Sequence, residues 1–348
     1  MRGVDGLNLI AEFTFLRNGD SEFMGSRSYN TVVVLFWVGT MSWLMVSKVL
    51  PPLQVGEPPS FPSIVSDERF PKPVCWSINS NERVIGWAAS KIVQREDNMV
   101  ELNSYVYLKE LPLDHMAPGW LGAIVKPALR RAGQLSMIAK NRMEIDGLNH
   151  LVGFESRVQL ADIPDAIRIR GRIDGGRLKL TVQSGDFVYK TDRMMPENAM
   201  IGDELSPLAQ LPGLRIGQTW TMPVYSPFRP LNSPMEILQA TVERHDPIVW
   251  DGLPVSTKLV VYRSDSGSGL LTSHETRGKL WVRSDAPDGK EGLVLKQEAR
   301  LFNSTMQFVR LPDQRAERFA SALGTDWSLD LPNSQARAML SRVMGRHH

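Results

Sequence analysis

The longest apolar run in the chain extends from Thr31 to Ser47 without a charged side chain, and Lys48, Val49 and Leu50 follow before Pro51-Pro52. A helix needs about 20 mainly apolar residues to cross a bilayer's hydrocarbon core. Lys48 at the end of the run can extend its ammonium to the headgroups while Val49 and Leu50 lengthen the span. Residues 30–50 therefore predict a transmembrane signal anchor. A core strand or helix seldom runs so far without a charge. A cleaved signal peptide would need small residues after the apolar run, where the sequence reads Val46-Ser47-Lys48-Val49. Arg2, Arg17 and Arg27 precede the run, against Lys48 and Arg69 after it. The positive-inside rule then puts the N-terminus inside and the rest on the exported side of the inner (cytoplasmic) membrane. Met24 opens the short basic lead "MGSRSYN", so residues 1–29 are an N-terminal segment whose first part is expected to be an over-extended gene start.

Beyond the anchor the pattern changes twice. Residues 51–78 are expected to be a linker, since the stretch from Pro51 to Pro73 holds seven prolines and favours extended, semi-rigid chain. From about residue 79 the period becomes two. In "AIRIRGRID" Ile167, Ile169 and Ile173 alternate with Arg168, Arg170 and Arg172, and "RLKLTV" alternates through Leu178, Leu180 and Val182. Asp174-Gly175-Gly176 between them supplies the positive φ angles of a tight hairpin. Asp146-Gly147, Asp251-Gly252 and Asp288-Gly289 repeat the device between strand-like runs. About ten to twelve strands in an antiparallel meander are expected over 79–312. Helix patterns are few: 119–133, kinked at Pro127, then 313–324 and 334–346, the last two in a helical tail over 313–348. The predicted fold class is mainly β, a large curved antiparallel sheet of half-barrel type packed on one or a few helices, with an N-terminal transmembrane helix. A sheet this wide must curl to shelter its apolar face, and a helix across the concave side would complete the core.

The succession "RVIGWAASKIV", "RMEIDGLNHLVGFESRVQL", "RIRGRIDGGRLKLTV", "LPGLRIGQTWTMPVYSP" and "GLVLKQEARLFNSTMQFVR" resembles the β-rich region that precedes transglutaminase-like domains in some bacterial proteins. More remotely it is similar to the half-barrels of the LolA/LolB lipoprotein carriers. The resemblance covers roughly residues 80–312 and implies a curved sheet wrapped on helices; in the carriers the concave side holds acyl chains.

Composition narrows the chemistry. Forty basic and thirty-eight acidic residues leave a formal charge of +2, too even a balance for a nucleic-acid partner. The one cysteine, Cys75, excludes an internal disulfide and a multi-cysteine zinc site. No paired-histidine helix motif, nucleophile elbow, phosphate-cradling glycine loop or calcium loop is present, so no catalytic residue, metal site or cofactor is expected. Two residue sets remain. Trp87, Trp120, Trp220 and Trp281, with sixteen methionines, either line an apolar ligand pocket or are ordinary core. Arg168, Arg170, Arg172, Arg177 and Lys179 form the densest basic patch, facing either an anionic partner or plain solvent.

The expected function is that of a membrane-tethered, exported, non-catalytic β domain, binding an apolar ligand (a lipid or acyl chain) or a partner protein at the cell envelope. Two alternatives stand beside it: a cysteine-dependent acyl transferase or hydrolase using Cys75, and a structural envelope component. The expected partners are the membrane, through the N-terminal helix, and a lipid or envelope protein.

Overall fold

The protein was described from a computed structural model, which covers residues 27–46, 72–95, 99–110, 136–148, 150–161, 163–196, 199–201, 206–225, 235–264, 276–285, 291–301 and 304–323. It divides into two units, residues 1–50 and 51–348. The first holds helix α1 (Arg27–Leu44). Its apolar side chains point outward on every side, with Val32, Phe36, Trp37, Met41 and Trp43 all exposed. Among the described residues no helix is long and apolar enough to cross a membrane: α1 opens on the polar turn Arg27-Ser28-Tyr29-Asn30, and its apolar part is correspondingly short. The expected end of the anchor at 47–50, the linker to residue 71 and the start at Met24 lie outside the described residues.

The second unit is built on one fifteen-stranded sheet. Its strands are β1 (Val74–Ser80), β2 (Arg83–Gln94), β3 (Val100–Leu108), β4 (Met137–Ile145), β5 (Leu151–Leu160), β6 (Ile163–Asp174), β7 (Arg177–Ser184) and β8 (Phe187–Met194). There follow β9 (Met200–Ile201), β10 (Thr219–Tyr225), β11 (Met235–His245), β14 (Thr257–Ser264), β15 (Thr276–Arg283), β16 (Val294–Leu301) and β17 (Ser304–Arg310). A separate ribbon pairs β12 (Ile248–Trp250) with β13 (Leu253–Val255). The spatial order is β8-β7-β6-β5-β4-β3-β2-β1-β17-β16-β15-β14-β11-β10-β9. Every pairing is antiparallel except the two-residue contact of β9 with β10. The first and last strands thus lie side by side at the middle of the sheet (Ile78 opposite Phe308), while β8 and β9 form its two ends.

Local chemistry sets the turns. Gly175 and Gly176 both take positive φ, as do Asp251 and Gly252, giving the primed turns that match strand twist. The β1–β2 hairpin achieves the same with Asn81 and Glu82 at positive φ, a turn that its residue types do not announce.

The connectivity forces the sheet to curl. Fourteen strand spacings of about 4.8 Å would hold the edges of a flat sheet roughly 67 Å apart. Yet Met194 at the end of β8 and Met200 at the start of β9 are six residues apart in the chain, a reach of at most about 20 Å. The two ends therefore come round to near each other, and the sheet is a barrel left open between β8 and β9. One face becomes the inside: Trp76, Ile78, Val106, Ile169, Leu180, Trp220, Val260 and Phe308, from strands far apart in the order, share a single apolar core.

Three expectations are corrected. The sheet has fifteen strands, more than the ten to twelve foreseen, because several lack a glycine-marked turn. The last part of the expected linker is sheet, since Val74–Ser80 pairs with both β2 and β17. And the described helix of this unit, α2 (Asp313–Leu323), lies on the opposite face of the sheet from the main core. Its Ala316 and Phe319 pack with Cys75, Ala89, Tyr105 and Ile138. Register explains it: Cys75, Ala89 and Tyr105 are cross-strand partners one residue out of phase with Trp76, Ala88 and Val106. The segments 119–133 and 334–346 lie outside the described residues.

Candidate functional site: the concave face

About eight strands close on an interior that side chains alone can fill. Fifteen strands enclose more, and here the chain itself crosses the space. Between β9 and β10, residues 206–214 run as a strap over the concave face. At one end Ser206 Oγ meets Ser104 Oγ of β3 at 2.8 Å. In the middle the amide of Leu208 donates to Gln297 Oε1 of β16 (3.1 Å). Arg310 Nη1 of β17 donates to the Ala209 carbonyl (2.9 Å), and the Leu211 amide donates to the Gly292 carbonyl (2.7 Å). At the far end Lys258 Nζ of β14 donates to the Leu214 carbonyl (2.9 Å). The strap therefore spans seven strands, from β3 to β14. Leu208, Leu211 and Leu214 direct their side chains into the apolar core. The bend at Gly213, whose φ is 72°, lets Leu214 turn to the same side as Leu208 and Leu211.

Polar groups are built into the same face. Ser90, Ser104, Asn141 and Ser156 are successive cross-strand partners over β2 to β5, a transverse polar row flanked by the aliphatic row of Ala88, Val106, Ala139 and Val158. Arg310 is buried beside the Trp76 ring, 5.9 Å from its centroid. Trp76 Nε1, Trp220 Nε1 and the Tyr262 hydroxyl are buried and meet no hydrogen-bond partner among the described residues. Trp220 and Tyr262 touch edge to face at 6.2 Å. Burial pushes the Tyr262 phenol well above its usual range. Leaving such donors unsatisfied costs about 1–3 kcal/mol each, which a bound oxygen would recover. At the open seam, burial raises the Tyr225 phenol to about 12, with Tyr189 of β8 adding to the rise and Arg193 opposing it; the ends of the sheet feel each other electrostatically.

The tryptophans singled out from sequence do not converge. Trp220 lies in the concave core. Trp87 is on the outer face against Phe319 of α2, ring centroids 5.6 Å apart. Trp281 is also on the outer face, donating Nε1 to Asp246 Oδ2 (2.8 Å) with the Lys296 ammonium 4.3 Å over its ring. Trp120 lies outside the described residues. The basic set does stay together, on the outer face of β6 and β7, but it is partly neutralised. Glu155 accepts from Arg168 (2.8 Å), Arg157 (3.0 Å) and Arg170 (3.2 Å). Burial alone would raise the Glu155 carboxyl, and the three guanidinium bonds outweigh it and hold the carboxyl low. Arg177 pairs with Asp192 and Lys179 with Asp174, while Arg172 stands exposed on the same face.

Cys75 is fully buried on β1 beneath α2, its Sγ 3.6 Å from the Ala316 carbonyl. Burial pushes its thiol up to about 12 against a small opposing pull from Arg310. A nucleophilic cysteine needs the reverse, a lowered pKa and an open approach. Among the described residues no three His, Cys, Asp or Glu side chains gather as a metal set would.

What sequence reading missed is the strap and its anchors: Ser104, Lys258, Gln297 and Arg310. Polar and charged residues on the inward parity of strands were the available signal.

No family model and no curated protein matches the chain. Among solved structures it is similar to a β-barrel-like protein of the domain of unknown function DUF1849 from Brucella abortus, at 9% identity and a TM-score of 0.40, over 69% of this chain and 95% of that one. It is also similar to a duf1089 family protein from Pseudomonas aeruginosa, at 16% identity and a TM-score of 0.30, over 61% and 89%.

Proposed function

We propose that the open barrel is a non-catalytic binding module for an apolar ligand bearing a hydrogen-bond acceptor, such as a fatty-acyl ester or acid. The observation that carries the reading is the pair of orphaned donors, Trp220 Nε1 and Tyr262 OH, set among apolar side chains on the concave face. An acyl chain fits the aliphatic surroundings, and its carbonyl answers the donors. The sealed, high-pKa Cys75 speaks against the acyl-transfer alternative. The uncovered apolar surface of α1 supports the second half of the proposal: a helix apolar on all sides is at home in a bilayer, so the module is held at the envelope membrane, on its exported side.

Organic extraction of the full-length protein purified in detergent, followed by mass spectrometry, tests the ligand. A stoichiometric amphiphile is expected, with occupancy falling in Tyr262→Phe and Trp220→Phe variants that retain their β-sheet circular dichroism. Protein that extracts clean and takes up no fluorescent fatty-acid probe would refute the reading. Carbonate washing tests the tether: the protein should stay with the membranes.

A further inference from the structure

Positive charge gathers on the outer face over β5 to β8. There β6 and β7 turn Arg168, Arg170, Arg172, Arg177 and Lys179 outward, opposite in parity to the core residues Ile169, Leu178 and Leu180. Cross-strand register adds Arg157 of β5, opposite Arg168, and Lys190 of β8, opposite Thr181. The described carboxylates among these seven cations are three, Glu155, Asp174 and Asp192. Four positive charges are thus in excess here, against two for the whole chain, so the remainder of the chain is net acidic. Glu155 cancels only one of the three guanidiniums gathered on it. Arg170, Arg172, Arg177, Lys179 and Lys190 are all exposed.

Apolar side chains border these cations on the same face. Val188 and Met194 of β8 lie opposite Gln183 and Arg177 of β7, on either side of Lys190, and are 51% and 68% exposed. A soluble polyanion offers such groups nothing. A bilayer does: apolar side chains beside cations enter the boundary between headgroups and acyl chains, and the long arginine and lysine stems can follow while their charges stay with the phosphates. An anionic leaflet favours each nearby Lys or Arg by a factor of about five, within a screening distance of about 10 Å at moderate salt.

We infer that the outer face of β5 to β8 docks on anionic lipid headgroups, with Arg172 and Lys179 on the phosphates and Val188 and Met194 in the interface. The inference rests on the membrane half of the proposed function and extends it: α1 keeps a bilayer at hand, and this face selects the lipids on which the domain lies.

The test uses full-length protein reconstituted into vesicles of phosphatidylcholine, alone or with phosphatidylglycerol, some of the lipid carrying a nitroxide quencher at its headgroup. In a Cys75→Ala background a fluorophore is attached at Val188→Cys, or at Ser321→Cys on α2, which packs over β1, seven strands from β8. Quenching at 188 should rise about five-fold or more with phosphatidylglycerol and fall back in high salt, while the label at 321 stays unquenched. Arg172→Glu with Lys179→Glu should cut the phosphatidylglycerol-dependent quenching about ten-fold or more. Arg172→Gln with Lys179→Gln should cut it less, and Arg172→Lys should keep it. Variants are compared only where circular dichroism and melting match the parent. Quenching at 188 that ignores phosphatidylglycerol, or that survives both pairs of substitutions, would overturn the inference. An unquenched label at 188 would overturn it too, and retention of that protein on heparin would then assign the face to a soluble polyanion. The expected quenching in a protein that carbonate strips from the vesicles would sink the tether and leave this docking standing.

Discussion

Cys75 shows how one residue's setting decides its chemistry. Its side chain is sealed on the face that α2 covers. Replacing it with alanine removes one buried sulfur and should cost about 1 kcal/mol in denaturant unfolding. In the wild type, a thiol reagent at pH 8 should react only as fast as the protein unfolds; rapid native labelling would contradict the burial. The raised pKa also has a signed consequence. The folded thiol keeps its proton to about 12, whereas an unfolded one releases it near 8.5–9. The contribution to stability is therefore complete below about pH 8.5 and is lost as pH rises, at about 1.4 kcal/mol per pH unit. Urea titrations from pH 8 to 10 should show that decline in the wild type and a flatter one in Cys75→Ala.

At the scale of elements, the hairpins were legible and their faces were not. The alternation through Ile167, Ile169, Leu178 and Leu180 with Gly175-Gly176 between is a local signal, and β6 and β7 lie where it points. The "DQRAERFASALG" pattern likewise gave α2. Sequence period, however, says only that two faces differ. Which face turns inward depends on curl imposed by distant connections, so Trp87 and Trp281 read the same as Trp220. The strap was hidden for a related reason: its bonds go to Ser104, Gln297, Arg310 and Lys258, distant in the chain, and leave no period of their own. Two substitutions test the elements. Gly86 lies so close to β3 that a Cβ there would sit 2.1 Å from the Tyr107 carbonyl oxygen. Gly86→Ala should destabilise by about 1–3 kcal/mol or more, through parting of the β2–β3 ladder. Phe319→Ala empties the contact of α2 with Trp87 and should cost about 3–4 kcal/mol. Unfolding midpoints unchanged by either substitution would deny the packing described.

At the scale of the whole molecule, curl is the measurable quantity. Spin labels at Lys190→Cys in β8 and Thr221→Cys in β10, in a Cys75→Ala background, would stand roughly 60 Å apart on a flat sheet. The short β8–β9 connection predicts less than about 35 Å by pulsed dipolar spectroscopy. The pairing of β1 with β17 has a consequence of another kind, in time. Read from β9 through β17 into β1 and on to β8, the sheet is a plain succession of neighbours; the real chain starts in the middle of that succession. Every other neighbouring pair of strands is joined by a local segment, except β11 and β14, which are separated only by the small β12–β13 ribbon. A ribosome adding about 5–20 residues per second finishes β1 well before it reaches residue 304. For roughly 10–50 seconds the Trp76 and Ile78 edge stays bare while the first eight strands accumulate beside it as a half-sheet. The steps that make this domain vulnerable to mispairing thus belong to its synthesis, and β17 is the strand whose arrival ends them.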